Sequence, residues 1–258
     1  MNGRSRMFAG RLVFLAVMAL LAVSLAAAST PAPTPTLDEI VAGHVKARGG
    51  LKRLHALQTL RQTGTATAGA DRRALVVREI KRPGRIRFEF TVQGVTAVAI
   101  CDGEHGWRVN PLEGEMAPQA LPDDVVLEAI EQADIEGPLV DWKTKGSRLE
   151  LVGREALGGR DTYRLKLTLK SGAEQDLYLD SKTFLVICMD STRTIKGWPV
   201  RIRTAFGDYR KTKGIAFPHQ IETTASERPA RLRIVVETVE VNPPLPDSLF
   251  ELSAAARP

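Results

Sequence analysis

The sequence predicts a mainly β protein with a few helices: one curved antiparallel sheet, an incomplete β-barrel of about eleven strands, with helices covering its concave face. Three features carry this expectation. Segment after segment alternates apolar and polar residues at the two-residue period of a strand. Turn residues such as Pro83-Gly84 and Asp102-Gly103 separate these segments at hairpin distances. Helical periodicity is confined to the start of the chain and to one interior stretch, so the strands are joined by hairpins rather than helices.

Residues 1–28 read as a signal peptide outside the fold. Arg4, Arg6 and Arg11 form a positive n-region and Leu12 to Leu25 an apolar h-region; Ala26-Ala27-Ala28 supplies the small residues that signal peptidase needs. The apolar run is too short to span a bilayer. Residues 29–36 form a Pro-Thr linker, 37–252 a single half-barrel domain and 253–258 a tail. The mature chain is thus expected to be exported and soluble.

Thr36-Leu37-Asp38-Glu39 is a capping box, and Leu37, Ile40, Val41 and Val45 follow at helical spacing until Gly49-Gly50. Leu51 to Leu57 makes a second short apolar turn. Strands are then expected at 58–67, 73–81, 85–93, 95–102 and 104–110. Between Arg78 and Pro111 the alternation is plainest: Ile86, Phe88, Phe90 and Val92 share one face, and Arg85, Arg87, Glu89 and Thr91 the other. Glu89 is expected simply to be solvated. Leu112 to Leu121, rich in Pro, Gly and Glu, reads as a loop.

Pro122-Asp123-Asp124 starts a helix over 122–136, with acids in the first turn where the helix dipole favours them. Its apolar stripe is Val126, Leu127, Ile130 and Ala133, and Gly137-Pro138 stops it. A second series of strands follows at 147–154, 160–170, 174–180, 184–193, 199–208, 215–224 and 230–241. Leu185 to Met189 is apolar on both sides, which predicts a helix over that strand.

No Gly-x-Ser-x-Gly, P-loop or dinucleotide fingerprint occurs, and no nucleophile, base and orienting group fall together. The expectation is a non-enzyme without metal or cofactor. His44, His55, His105 and His219 are scattered and read as surface or boundary residues. The formal charge of +6 comes from 36 basic and 30 acidic side chains without a Lys-Arg block, which argues against nucleic acid and for a solvated outer face. Cys101 and Cys188 lie in separate apolar strands, where small buried thiols fit.

The Arg78–Pro111 block resembles the bacterial LolA/LolB-like group of outer-membrane lipoprotein-sorting proteins, the lipoprotein carriers. The matching residues are Lys81-Arg82-Pro83, Asp102-Gly103, Trp107 and Asn110-Pro111. Ala47-Arg48-Gly49-Gly50-Leu51 and Asp247-Ser248-Leu249-Phe250-Glu251-Leu252 are similar to members of the same group. The resemblance implies an incomplete barrel with a helical lid over an apolar cavity. It also implies a periplasmic shuttle that takes acylated lipoproteins from an inner-membrane transporter to an outer-membrane receptor.

In that family the arginine of the Lys-Arg-Pro motif bonds to the lid and helps control opening; that role would fall on Arg82. Ile86, Phe88, Phe90 and Trp107 would then belong to the cavity wall, and Val126 and Ile130 to the lid helix. With only 5% aromatic residues, and Ile86 where the carriers favour a larger ring, the lining is expected to be mainly aliphatic. The expected function is a monomeric periplasmic carrier that buries acyl chains of lipoproteins or lipids for transfer toward the outer membrane. The rival is a lipid- or lipoprotein-sensing regulatory protein of the same fold.

Overall fold

The computed structural model describes residues 35–252 apart from 70–71, 196–197 and 227. The expected signal peptide, most of the linker and the tail lie outside the described residues. Thirteen antiparallel strands form one sheet in the order β6-β5-β4-β3-β2-β1-β13-β12-β11-β10-β9-β8-β7. In the first half these are β1 (Thr59–Ala68), β2 (Arg72–Lys81), β3 (Arg85–Val92), β4 (Val95–Cys101), β5 (Gly106–Asn110) and β6 (Glu115–Ala120). In the second they are β7 (Arg148–Leu157), β8 (Arg160–Thr168), β9 (Glu174–Asp180), β10 (Val186–Ile195), β11 (Trp198–Thr212), β12 (Ile215–Ala225) and β13 (Arg228–Val241). Each half is a meander, and β1 joins β13 to unite them; β6 and β7 remain as free edges, so the barrel does not close.

The expected incomplete barrel is there: all twelve segments read as strands form, and the thirteenth, β6, was expected to be loop. Pro118 within it cannot donate to a ladder, so a pattern-based reading demotes the segment. The fold tolerates Pro118 because β6 is an edge that pairs only with β5.

Three helices lie against the sheet: α1 (Leu37–Arg48), α2 (Leu51–His55) and α3 (Asp123–Gln132). Thr36 and Glu39 form the capping box at the start of α1. Ile40 of α1 is fully enclosed among Leu149, Tyr163, Leu165, Leu167 and Leu179 of β7–β9. Leu37, Val41, Phe184, Val186 and Met189 pack around that cluster, so α1 supplies the helix expected over Leu185–Met189. A second cluster joins Leu54 of α2, Leu57, Ile80, Ile86 and Cys101 to Val126 of α3 and Phe217 of β12. Cys101 and Cys188 are both free and buried.

The opposite face carries cross-strand ion pairs. Arg61 meets Glu79 at 2.5 Å, Arg164 meets Asp176 at 2.8 Å and Arg203 meets Asp190 at 2.5 Å. Glu89 is not merely solvated, since Arg87 holds it and also approaches Glu79 at 3.7 Å. Such pairs add little stability individually but mark this side as the wet one. After β13 the chain crosses to the outer side of β2–β3, where Lys81 and Arg85 grip Asp247 at 2.6 and 2.7 Å.

Two of the histidines depart from expectation: His44 and His219 are buried. His44 donates from Nδ1 to the Phe184 carbonyl at 3.0 Å, which ties α1 to the β9–β10 connection. Each buried ring uses a backbone carbonyl that sequence periodicity does not reveal.

Burial, with Arg48 nearby, pushes the His44 pKa down from 6.5 to about 4. The unfolded chain therefore binds a proton below pH 6.5 that the folded chain refuses until about pH 4. Stability from this site is full above pH 6.5 and falls as the pH drops through that window, by about 3 kcal/mol at its limit. Urea unfolding at pH 7 and pH 4 should show that loss in the native protein and a clearly smaller one in His44→Gln.

Candidate binding cavity

The helices do not cover the whole inner face. Beside α3 the exposed remainder forms a cavity of about 1130 Å³, slightly above the usual range of about 300–1,000 Å³ for small-molecule sites. Val76 of β2 and Phe88 and Phe90 of β3 line one wall. Phe206, Ile221, Ile234 and Val236 of β11–β13 line the other, and Leu127 and Ile130 of α3 close one side. The phenyl rings of Phe88 and Phe90 stack at 6.1 Å, while most other apolar groups are aliphatic.

Strand alternation builds this wall. Leu75 and Val235 point outward and are 62% and 40% exposed, whereas their neighbours Val76 and Val236 are buried on the inner side. Polar groups line it too. Gln62, Thr204 and Thr223 sit among the apolar groups of the strands, and Arg78 enters from β2. Glu128, Glu131, Asp134, Lys145, Lys170 and Arg193 border it on the side of α3 and the strands beyond. A second hollow of about 890 Å³ lies between α3, β5–β6 and β9–β11. Its walls mix apolar side chains with six charged ones, four acids and two arginines. Arg108 pairs with Glu115 at 2.7 Å, and Arg193 lies 3.4 and 3.5 Å from Glu128 and Glu131. The larger cavity is therefore the candidate site for an apolar ligand.

Helix α3 spans the path from β6 to β7, the two free edges of the sheet. Gly106 lets it lie close: a Cβ there would sit 2.8 Å from Leu121 and 3.1 Å from Val126. The helix ends at Gln132, short of the expected 136. Carboxylates are unfavourable at a helix C-terminus, and here Asp134 and Glu136 serve other partners instead. Lys145 binds Asp134 at 2.6 Å, and Arg82 binds the buried Glu136 at 2.6 Å. Arg82 also donates from Nε to the Leu57 carbonyl at 2.6 Å, so one guanidinium links β2, the end of α2 and the segment after α3.

The residues expected at the site thus separate. Phe88, Phe90 and Ile130 line the cavity. Ile86 and Val126 lie in the core beside it. Arg82 sits outside the cavity, at the anchor behind α3. Trp107 does not reach the wall: it pairs with Ile100 on the outer face, its ring 5.9 Å from that of His105. Sequence reading treated Trp107 by motif order, yet the parity of β5 puts Gly106 and Arg108 inward and Trp107 outward. It also missed the wall supplied by β12 and β13, although Leu232, Ile234 and Val236 show the same alternation as β3.

The sequence matches no protein-family model and no curated protein. Solved structures are similar in fold. A DUF1329 family protein from Desulfovibrio piger is 16% identical, with a TM-score of 0.60 over 87% of this chain and 100% of that one. A domain of the outer-membrane lipoprotein-sorting type from Vibrio parahaemolyticus is 14% identical, with a TM-score of 0.58 over 84% and 97%. A LolA superfamily protein from Nitrosomonas europaea is 13% identical, with a TM-score of 0.54 over 85% and 99%. The chain has a LolA/LolB-like fold.

Removing the Arg82 guanidinium leaves Glu136 buried with only Lys145 and His55 at 3.7 and 3.9 Å. Arg82→Leu should therefore lower stability by about 2 kcal/mol in denaturant unfolding. Adding Glu136→Gln should recover part of that loss, because a neutral amide needs no cation. Strict additivity of the two substitutions would refute the coupling.

Proposed function

We propose that this protein is an exported, non-enzymatic carrier that buries acyl chains of a lipid or lipoprotein in the cavity beside α3. Its expected place is the periplasm, taking cargo from an inner-membrane transporter and passing it to an outer-membrane receptor. The observation that carries the reading is the cavity itself: an unusually large apolar hollow left uncovered on the inner face of the sheet. The fold likeness to an outer-membrane lipoprotein-sorting domain supports it. Among the described residues no helix is long and apolar enough to cross a membrane.

The energetics suit a carrier. Each methylene kept out of water is worth about 0.8 kcal/mol, so even part of an acyl chain gains substantially from such a wall. Release requires that the ligand have a way out. Helix α3 covers one side and is held at its far end by Arg82–Glu136 and Lys145–Asp134, whereas Leu127 on its surface is 51% exposed. A helix attached in this way can act as a lid.

Two measurements test the reading. Mass spectrometry of the protein purified from its source cells should find co-purified acyl lipid or lipoprotein. A fluorescent fatty-acid probe should bind, and Phe90→Asp should weaken it at least tenfold by placing a carboxylate in the wall. Leu75→Asp, on the outer face, should leave binding unchanged. Absence of both lipid and probe binding would overturn the proposal.

A further inference from the structure

We infer that Arg78 is the anion-recognition point of the cavity, so that the preferred ligand is an acyl chain with a negatively charged head. This rests on the acyl-chain reading above and narrows it to acidic amphiphiles. Arg78 stands on the inner face of β2, between Gln62 of β1 and Phe88 of β3 in the strand register. Its guanidinium lies over the Phe88 ring at 5.6 Å. Nη1 donates to the Gln62 side-chain oxygen at 3.2 Å and Nη2 to the Gln132 carbonyl at 2.6 Å. Both acceptors are neutral, and Nε is buried with no hydrogen-bond partner.

Of the other cations lining the cavity, Lys170 is exposed to solvent and two are matched. Arg193 faces Glu128 and Glu131, and Lys145 faces Asp134. Arg78 makes no ion pair among the described residues, although it stands among apolar groups of the cavity wall with its Nε buried. Burial pushes its pKa down to about 10, which still leaves it charged at neutral pH.

An enclosed charge with neutral partners is costly, and an anion would relieve the cost. The Gln132 contact accounts for one donor, placed favourably at the C-terminal end of α3. It does not account for Nε. A guanidinium has five donors in a planar fork, which suits a carboxylate or phosphate. From Arg78 the apolar wall runs past Phe88 to Phe90, giving an attached chain a path. The shared chemistry is an anionic head on an acyl chain, whether the carboxylate of a fatty acid or the phosphate of a phospholipid.

The test titrates dansyl-undecanoic acid and its uncharged methyl ester into the wild type, Arg78→Met and Arg78→Lys, with unfolding midpoints recorded for each. The wild type should prefer the acid by about ten- to a hundredfold. Arg78→Met should bind acid and ester alike, near the wild-type affinity for the ester, and Arg78→Lys should keep part of the preference. Displacement of the acid by laurate and by lysophosphatidate then tells carboxylate from phosphate. An acid preference that survives in Arg78→Met overturns the inference while leaving the acyl-chain site intact, as does equal binding of acid and ester by the wild type. Failure of the wild type to bind either probe overturns the acyl-chain reading and the inference together. Should Arg78→Met fail to unfold cooperatively, the wild-type preference and its partial retention in Arg78→Lys decide the matter.

Discussion

An antiparallel sheet buries one face and wets the other, and here a single sheet of thirteen strands must cover its own apolar side. Curvature does part of this, but β6 and β7 do not meet, so the sheet cannot close over its contents. Three helices cover the rest unevenly. Beneath α1 the strands β7–β9 form a dry core around Ile40; beneath α2 and the start of α3 a second core forms around Leu54 and Ile86. Between β2–β3 and β11–β13 the inner face continues past the helices, and that uncovered portion is the cavity. The site is what the fold leaves over when helix length falls short of sheet width.

Charge is partitioned to match. On the outer face neighbouring strands trade ion pairs such as Arg203–Asp190 and Arg61–Glu79, and these keep that side compatible with water. On the inner side charge gathers around α3. Arg82 and Lys145 hold the acids that follow the helix, Arg193 faces the acids on it, and Arg78 reaches its last carbonyl. The helix over the cavity is therefore fastened by polar contacts at its C-terminal end and by Val126, Ala129 and Ile130 against the core, while Val125 and Leu127 stay exposed.

Much of the fold was legible because strand alternation and turn chemistry are local signals. The placing of Ile86, Phe88 and Phe90 on one face needed only the two-residue period. What stayed hidden depends on neighbours distant in sequence. Pro118 concealed an edge strand because edge status is set by topology. His44 looked like a surface residue because its partner, the Phe184 carbonyl, lies 140 positions away. Trp107 matched a motif by order, but its direction follows from register with Ile100. Arg78 carried no signal at all: its meaning lies in the partners it lacks, and only three-dimensional neighbours reveal those.

The central claim is that the inner face between β2–β3 and β11–β13 receives an acyl chain. It is tested most directly by nuclear Overhauser contacts between a fatty acid and the methyl-labelled protein. Contacts are expected from the chain to the methyls of Val76, Ile221, Ile234 and Val236. None is expected to Leu75 and Val235, which alternate with them on the outer face. Contacts confined to Leu75 and Val235, or absent from the inner methyls at saturating fatty acid, would contradict it.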